Sequence, residues 1–194
     1  MNNLKIILLA ILLLMVWTSC GKEEDPAPQS ESFLKFKVGG KLVEYSADNQ
    51  PMGMSLDPSG PMYLATATIL GNRVDGTKNF LSISVRSESQ FQEGKEYQMQ
   101  DPIIYKGAEM VRILLTYSDE SGQLYNAVLF QQILPGMKVT DDAKLTFTKI
   151  SSNRVEGTFS GVVLGPISST TGRGDNELVI SEGQFNLSLF SSIP

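Results

Sequence analysis

Few residues in this sequence could carry reaction chemistry. The 194 residues contain no histidine and a single cysteine, Cys20. Without imidazole, the Ser–His–Asp triad, the histidine proton shuttle and the histidine metal ligand all drop out. One thiol makes neither an intrachain disulfide nor a CxxC pair, and it cannot build a thiolate cluster for zinc or iron–sulfur. A Ser–Lys dyad stays formally open, but no GxSxG nucleophile elbow occurs.

Carboxylates are the remaining candidates. Two acids facing one cleft, roughly 5–10 Å apart, can hydrolyse a glycoside. Asp141-Asp142, Glu156 and Glu182 are the candidates, but each lies beside a turn signal or at a strand end, where solvated acids are expected anyway. Calcium would need a loop of oxygen ligands. The densest oxygen clusters, Asp141-Asp142 and Asp175-Asn176-Glu177, lack the D-x-[DN]-x-[DN]-G spacing. No catalytic, cofactor-binding or metal-ligating residue is therefore assigned, and no cofactor is expected. A carbohydrate site usually offers flat aromatic rings beside polar groups. Tyr63, Tyr97, Tyr105, Tyr117 and Tyr125 could serve, though they sit in strand patterns that suit packing. Arg173-Gly174-Asp175 spells the integrin-recognition tripeptide within a Gly-, Ser- and Thr-rich stretch from Gly165 to Asn176. It reads as loop composition.

The lone cysteine takes its meaning from what precedes it. Lys5 is followed by an unbroken apolar run from Ile6 to Trp17, then Thr18, Ser19 and Cys20. Twelve helical residues span about 18 Å, short of the roughly 30 Å hydrocarbon core. That length, with no polar face, suits the h-region of a secretory signal. A single thiol directly after such a run resembles a bacterial lipoprotein precursor. The resemblance implies a helical signal peptide over residues 1–19, cleaved before Cys20, with a diacylglycerol on the Cys20 sulfur and an acyl chain on its new amine. Trp17 stands where that family usually has Leu, Val or Ile. Several chains hold durably where one is marginal, at about 0.8 kcal/mol per buried CH₂.

Residues 20–32 then read as the lipidated cysteine and a flexible acidic tether, with two prolines and no branched apolar residue after Cys20. Lys22, Glu23, Glu24 and Asp25 resemble the export signal that follows the cysteine in lipoproteins of the Bacteroidota type. That resemblance implies an outer-membrane address facing the cell exterior. The lipid makes the membrane a partner; a glycan, a peptide or an outer-membrane protein are the further candidates. The formal net charge of −5 argues against nucleic acid. Removal of residues 1–19 takes away one lysine and the only tryptophan, leaving 15 basic against 21 acidic residues, a net charge of −6.

These features must be carried by a single domain over residues 33–194, whose pattern is short apolar runs of period two between turn residues. Leu34, Phe36 and Val38 share a face, Gly39-Gly40 supplies a two-residue hairpin turn, and Lys41 to Tyr45 returns. Met62 to Leu70 is expected to pair with Phe80 to Arg86, and Val111 to Tyr117 with Leu124 to Gln131. Ala143 to Ile150, Arg154 to Leu164 and Asn176 to Phe190 supply the last strands. Leu145, Phe147 and Lys149 are expected on one face, and Gly157 at a bulge or close backbone approach. The segments Phe36–Lys41, Lys149 through Gly157-Thr-Phe159, and Ile180–Phe185 also resemble a group of uncharacterised lipoproteins from the same bacteria, which implies a shared β fold and no activity.

The expected architecture is all-β: an antiparallel β-sandwich of about nine or ten short strands, with a lipocalin-like β-barrel as the alternative. The expected function is an outer-membrane-anchored lipoprotein carrying a non-enzymatic binding or structural β-domain. A two-carboxylate glycan hydrolase and an accessory subunit of a surface complex are the alternatives.

Overall fold

The computed structural model describes residues 31–47, 52–57, 61–71, 74–131, 136 and 138–191. The signal segment, Cys20 and the residues Lys22, Glu23, Glu24 and Asp25 lie outside them. The described chain is all-β. Its strands are β1 (Phe33–Val38), β2 (Lys41–Ser46), β3 (Gly53–Asp57), β4 (Tyr63–Leu70), β5 (Phe80–Ser87), β6 (Glu96–Gln98) and β7 (Ile103–Tyr105). They continue with β8 (Ala108–Met110), β9 (Ile113–Ser118), β10 (Leu124–Ala127), β11 (Asp142–Ile150), β12 (Arg154–Ser168) and β13 (Gly172–Ser191).

The hairpins follow local sequence rules. β1 and β2 pair from Phe33↔Ser46 to Val38↔Lys41. Gly39 and Gly40 between them both take positive φ, which only a residue without Cβ adopts at no steric cost. β4 pairs β5 along its whole length, from Tyr63↔Ser87 to Leu70↔Phe80, and β9 pairs β10 across the expected loop. In β5, Leu81, Ile83 and Val85 are buried while Ser82 and Ser84 are half-exposed, the alternation that a sheet with one covered face requires.

Eleven strands join one sheet in the order β2-β1-β13-β3-β4-β5-β9-β10-β12-β11-β6, and β12 also pairs β13. The extra pairing closes part of the sheet on itself, through β13, β3, β4, β5, β9, β10, β12 and back to β13. A two-stranded ribbon, β7–β8, stands apart. The pairings are antiparallel except β13 with β3, which is parallel from Ser188↔Gly53 to Ser191↔Leu56.

Three details differ from the expectation. The described strands number thirteen rather than nine or ten, and they are uneven: β12 has 15 residues and β13 has 20, while β6, β7 and β8 have three each. The long β12–β13 hairpin shifts register between Phe159 and Gly161 and again between Gly165 and Ile167. Such irregularities bend a strand, so each end of the hairpin meets different neighbours. Near its turn, Leu164 of β12 meets Asn126 of β10; at the far end β13 meets β3. The parallel pair was unforeseen because β3 and β13 lie at opposite ends of the chain and no tight turn dictates their direction. Lys149 leaves the face of Leu145 and Phe147, since β11 bulges between Phe147 and Lys149 and turns the lysine outward to Glu156.

Gly157 does mark a close approach. A Cβ there would lie 2.4 Å from both the Phe185 ring and the carbonyl oxygen of Thr146. The rings it makes room for form a series through the core. Phe36 touches Tyr45, Tyr117 and Phe159; Phe159 touches Phe185; Phe185 touches Phe147, which meets Phe91 and Tyr97. Edge-to-face and tilted contacts of this kind add to plain area burial.

Candidate functional site

The acidic candidates do not converge. Asp141 is fully buried, contrary to the solvated reading. Its oxygens take a two-pronged bond from Arg173, Nη1 to Oδ2 at 2.6 Å and Nη2 to Oδ1 at 2.7 Å. Oδ2 also accepts the amides of Val128 and Leu129. Arg173, Gly174 and Asp175 lie in β13 rather than in a loop, and the arginine is turned inward. The tripeptide therefore cannot present its guanidinium at a tip. Glu177 pairs with Lys138 and accepts from Thr140; Glu156 sits near Lys149 at 3.8 Å; Glu182 pairs with Lys37 at 2.8 Å. Glu156 faces Asn186 on β13, and Glu182 lies four residues further along that strand, about 13 Å of backbone. Among the described residues no group of three or more acids is placed to share a metal ion.

A different set of residues lines a cleft of about 430 Å³ at one end of the sheet. β2 supplies Lys41, Glu44 and Tyr45, the start of β5 is preceded by Asn79, and the end of β9 supplies Tyr117 with the turn Asp119-Glu120-Ser121. The parts are locked to one another. Tyr45 donates its hydroxyl to Asn79 Oδ1 at 3.0 Å, and the Asn79 amide donates to the Asp119 carbonyl at 2.9 Å. Asn79 holds φ at 51°, a left-handed conformation that Asn tolerates better than most residues. Asp119 organises its own turn, because Oδ1 accepts from the Ser121 amide, the Ser121 hydroxyl and the Gln123 amide. Burial pulls its carboxyl up, but these bonds outweigh it and hold the group below the usual carboxylate range.

Tyr117 is the unusual member. It is only 6% exposed, its ring packs edge-on against Phe36 with centroids 5.8 Å apart, and it lines the cleft. Among the described residues its hydroxyl makes no hydrogen bond, and no side-chain oxygen there is both buried and unpartnered, so the Tyr117 oxygen is open to the cleft. Of the five tyrosines singled out in the sequence, Tyr117 alone reaches this cleft. Tyr97 is buried and accepts the Gln92 amide, and Tyr125 donates to Gln123. Tyr45 and Asn79 were not foreseen. The signal for Tyr45 was available in the period-two face it shares with Val43 on β2.

Burial raises the Tyr45 phenol above its ordinary value, helped by the neighbouring Tyr117 and Glu120. Burial raises Tyr117 as well, followed by the charges of Asp119 and Glu120 and by Tyr125. A phenol that loses its proton later in the folded chain than in the unfolded chain contributes stability below about pH 10. That stability drains away as pH climbs from the unfolded value towards the folded one. Alkaline titration followed by tyrosinate absorbance should show Tyr45→Phe and Tyr117→Phe each losing amplitude from the late, high-pH limb. Loss from the early limb would contradict the assignment.

No protein-family model, no curated protein and no solved structure matches this chain.

Proposed function

We propose that the chain is an outer-membrane-anchored lipoprotein whose β-domain, held from the bilayer by residues 20–32, binds a ligand in the cleft between β2 and the β9–β10 turn. The observation that carries the binding half is a cleft lined by two ordered tyrosines, Tyr45 and Tyr117, with the Tyr117 hydroxyl open to it and uncommitted to any protein partner among the described residues. A hydroxyl open to the cleft and unclaimed by the protein is free to bond a ligand in place of water. The cleft's volume lies within the range of small-molecule and side-chain sites. The apolar run Ile6–Trp17 followed by Cys20 supports the address.

The finer architecture we infer is a core filled by side chains rather than an open cup: Phe36 of β1 packs on Tyr117 of β9, strands that are not neighbours in the sheet order, inside the partly closed sheet.

A hydrolase is the less favoured reading. Glu44 and Glu120 do line the same cleft, but both are exposed, whereas a general acid is kept protonated by burial.

Two experiments test the proposal. Cys20→Ser should move the protein from the membrane to the soluble fraction; a variant that stays membrane-bound ends the anchor reading. Glycan and peptide arrays should capture the protein through this cleft, with capture lost in Ser121→Trp, which places a bulky ring at its mouth. Arrays blank for both classes would end the binding reading.

A further inference from the structure

We infer that the cleft takes the cationic end of a lysine or arginine side chain from a partner peptide. The inference rests on the proposed binding role of this same site and names the chemistry it selects. The argument is a count of donors and acceptors. Tyr45 commits its proton to Asn79, so its oxygen faces a ligand as an acceptor. Ser121 commits its proton to Asp119 and is left in the same state. Glu44 and Glu120 are acceptors only, and no hydrogen bond or ion pair occupies either carboxylate among the described residues. The Tyr117 oxygen can accept as well as donate. Against these stand Lys41, itself exposed, and the side-chain amide of Asn79.

A lining rich in acceptors and carboxylates is matched by a ligand rich in donors and positive charge. An ammonium or guanidinium supplies three to five N–H groups, and a cation within about 6 Å of a tyrosine face gains from the ring quadrupole as well. The two tyrosines are held in place by Phe36 behind them, at 6.0 Å from Tyr45 and 5.8 Å from Tyr117, so their positions do not await the ligand. A neutral sugar would leave Glu44 and Glu120 facing its hydroxyls with no charge to answer theirs. An acidic ligand would be repelled by Glu44, Asp119 and Glu120, as well as by the net charge of the whole chain.

The test uses the purified lipidated protein in detergent micelles, titrated with capped Gly-Lys-Gly, Gly-Arg-Gly, Gly-Gln-Gly and Gly-Glu-Gly and followed by amide NMR shifts. The lysine and arginine peptides should move Val43, Glu44, Tyr45 and the segment Tyr117–Ser121, with affinity falling as salt is raised. The combined Glu44→Gln and Glu120→Gln variant should bind about tenfold or more weakly. Tyr117→Phe, which keeps the ring and deletes only the hydroxyl, should bind about threefold or more weakly. Glu109→Gln, on exposed β8, should change nothing. Equal binding of the glutamine or glutamate peptide overturns the inference, as does cationic binding that survives loss of both glutamates. A neutral glycan captured by the wild type and lost in Ser121→Trp overturns the cation inference while leaving the binding role standing. The absence of any ligand overturns both.

Discussion

Asp141→Ala should lower the unfolding free energy by about 3–5 kcal/mol, read as a fall in the denaturant midpoint at unchanged slope. The carboxylate is fully buried, and the guanidinium it holds is only 14% exposed on its side chain. The substitution leaves that positive charge with little but Asn126, whose Oδ1 lies 3.3 Å from Arg173 Nη1. It also orphans the amides of Val128 and Leu129, which donate to Asp141 at 2.7 and 3.1 Å. An uncompensated buried charge is the costly outcome here, and it outweighs the modest net worth of the intact pair. Asp141→Asn should cost less, because one carbonyl oxygen can still accept from the two amides. Arg173→Met combined with Asp141→Asn should cost less than the two single losses added together, since the residues lie in one network and each single change strands the other. The pair matters to the fold because Arg173 opens β13 while Asp141 precedes β11 and binds the segment just after β10. It ties together the strands that meet where the sheet closes near the β12–β13 turn. A loss below about 1 kcal/mol would mean that the pair behaves as a solvent-screened surface bridge.

The same pair shows why part of this structure was legible in the sequence and part was not. Alternation reports which face of a strand is covered, so Leu81, Ile83 and Val85 were placed correctly, and so was the β4–β5 hairpin. Alternation says nothing about which distant strand lies alongside, so the parallel β3–β13 pairing and the ring closure had no local signature. The length of β13 was hidden for a related reason. Its first residues, Gly172 to Glu177, are polar and glycine-rich like a loop, and only pairing to β12 from Ser168↔Gly172 to Leu164↔Glu177 holds them extended. Asp141 and Asp142 look alike in sequence, yet one is sealed and the other half-exposed. The difference comes from an arginine in a strand two removed along the chain. Arg112 repeats the lesson, buried at the entry to β9 with Glu88 at 3.0 Å, Asp101 at 3.2 Å and the Asp101 and Pro102 carbonyls around it. The cleft was half legible. Tyr117 was one of the five rings available, but three separate segments had to come together before Tyr45 and Asn79 could join it.

Phe36→Ala should cost about 3–5 kcal/mol, and it should damage the cleft as well as the core. Phe36 is completely buried in β1, and its ring meets three others at centroid distances from 5.8 to 6.0 Å. Truncation deletes those contacts and leaves a void that close-packed neighbours refill only in part. Two of the three rings, Tyr45 and Tyr117, line the cleft. Without the phenylalanine behind them they can tip inwards, and water gains access to phenols whose late ionisation rests first on burial. Their titration should therefore shift back towards the ordinary phenol range under conditions where the chain is still folded. Affinity for the lysine and arginine peptides should fall in the same variant. Leu187→Ala provides the contrast, because Leu187 is equally buried but does not line the cleft. It should lose about 2–5 kcal/mol with the tyrosine titration and peptide affinity unchanged. If the two variants instead weaken the cleft equally, its order depends on overall stability rather than on the Phe36 ring. If neither does, Tyr45 and Tyr117 are held by their own strands and by Asn79, and the coupling of core to cleft through Phe36 is refuted.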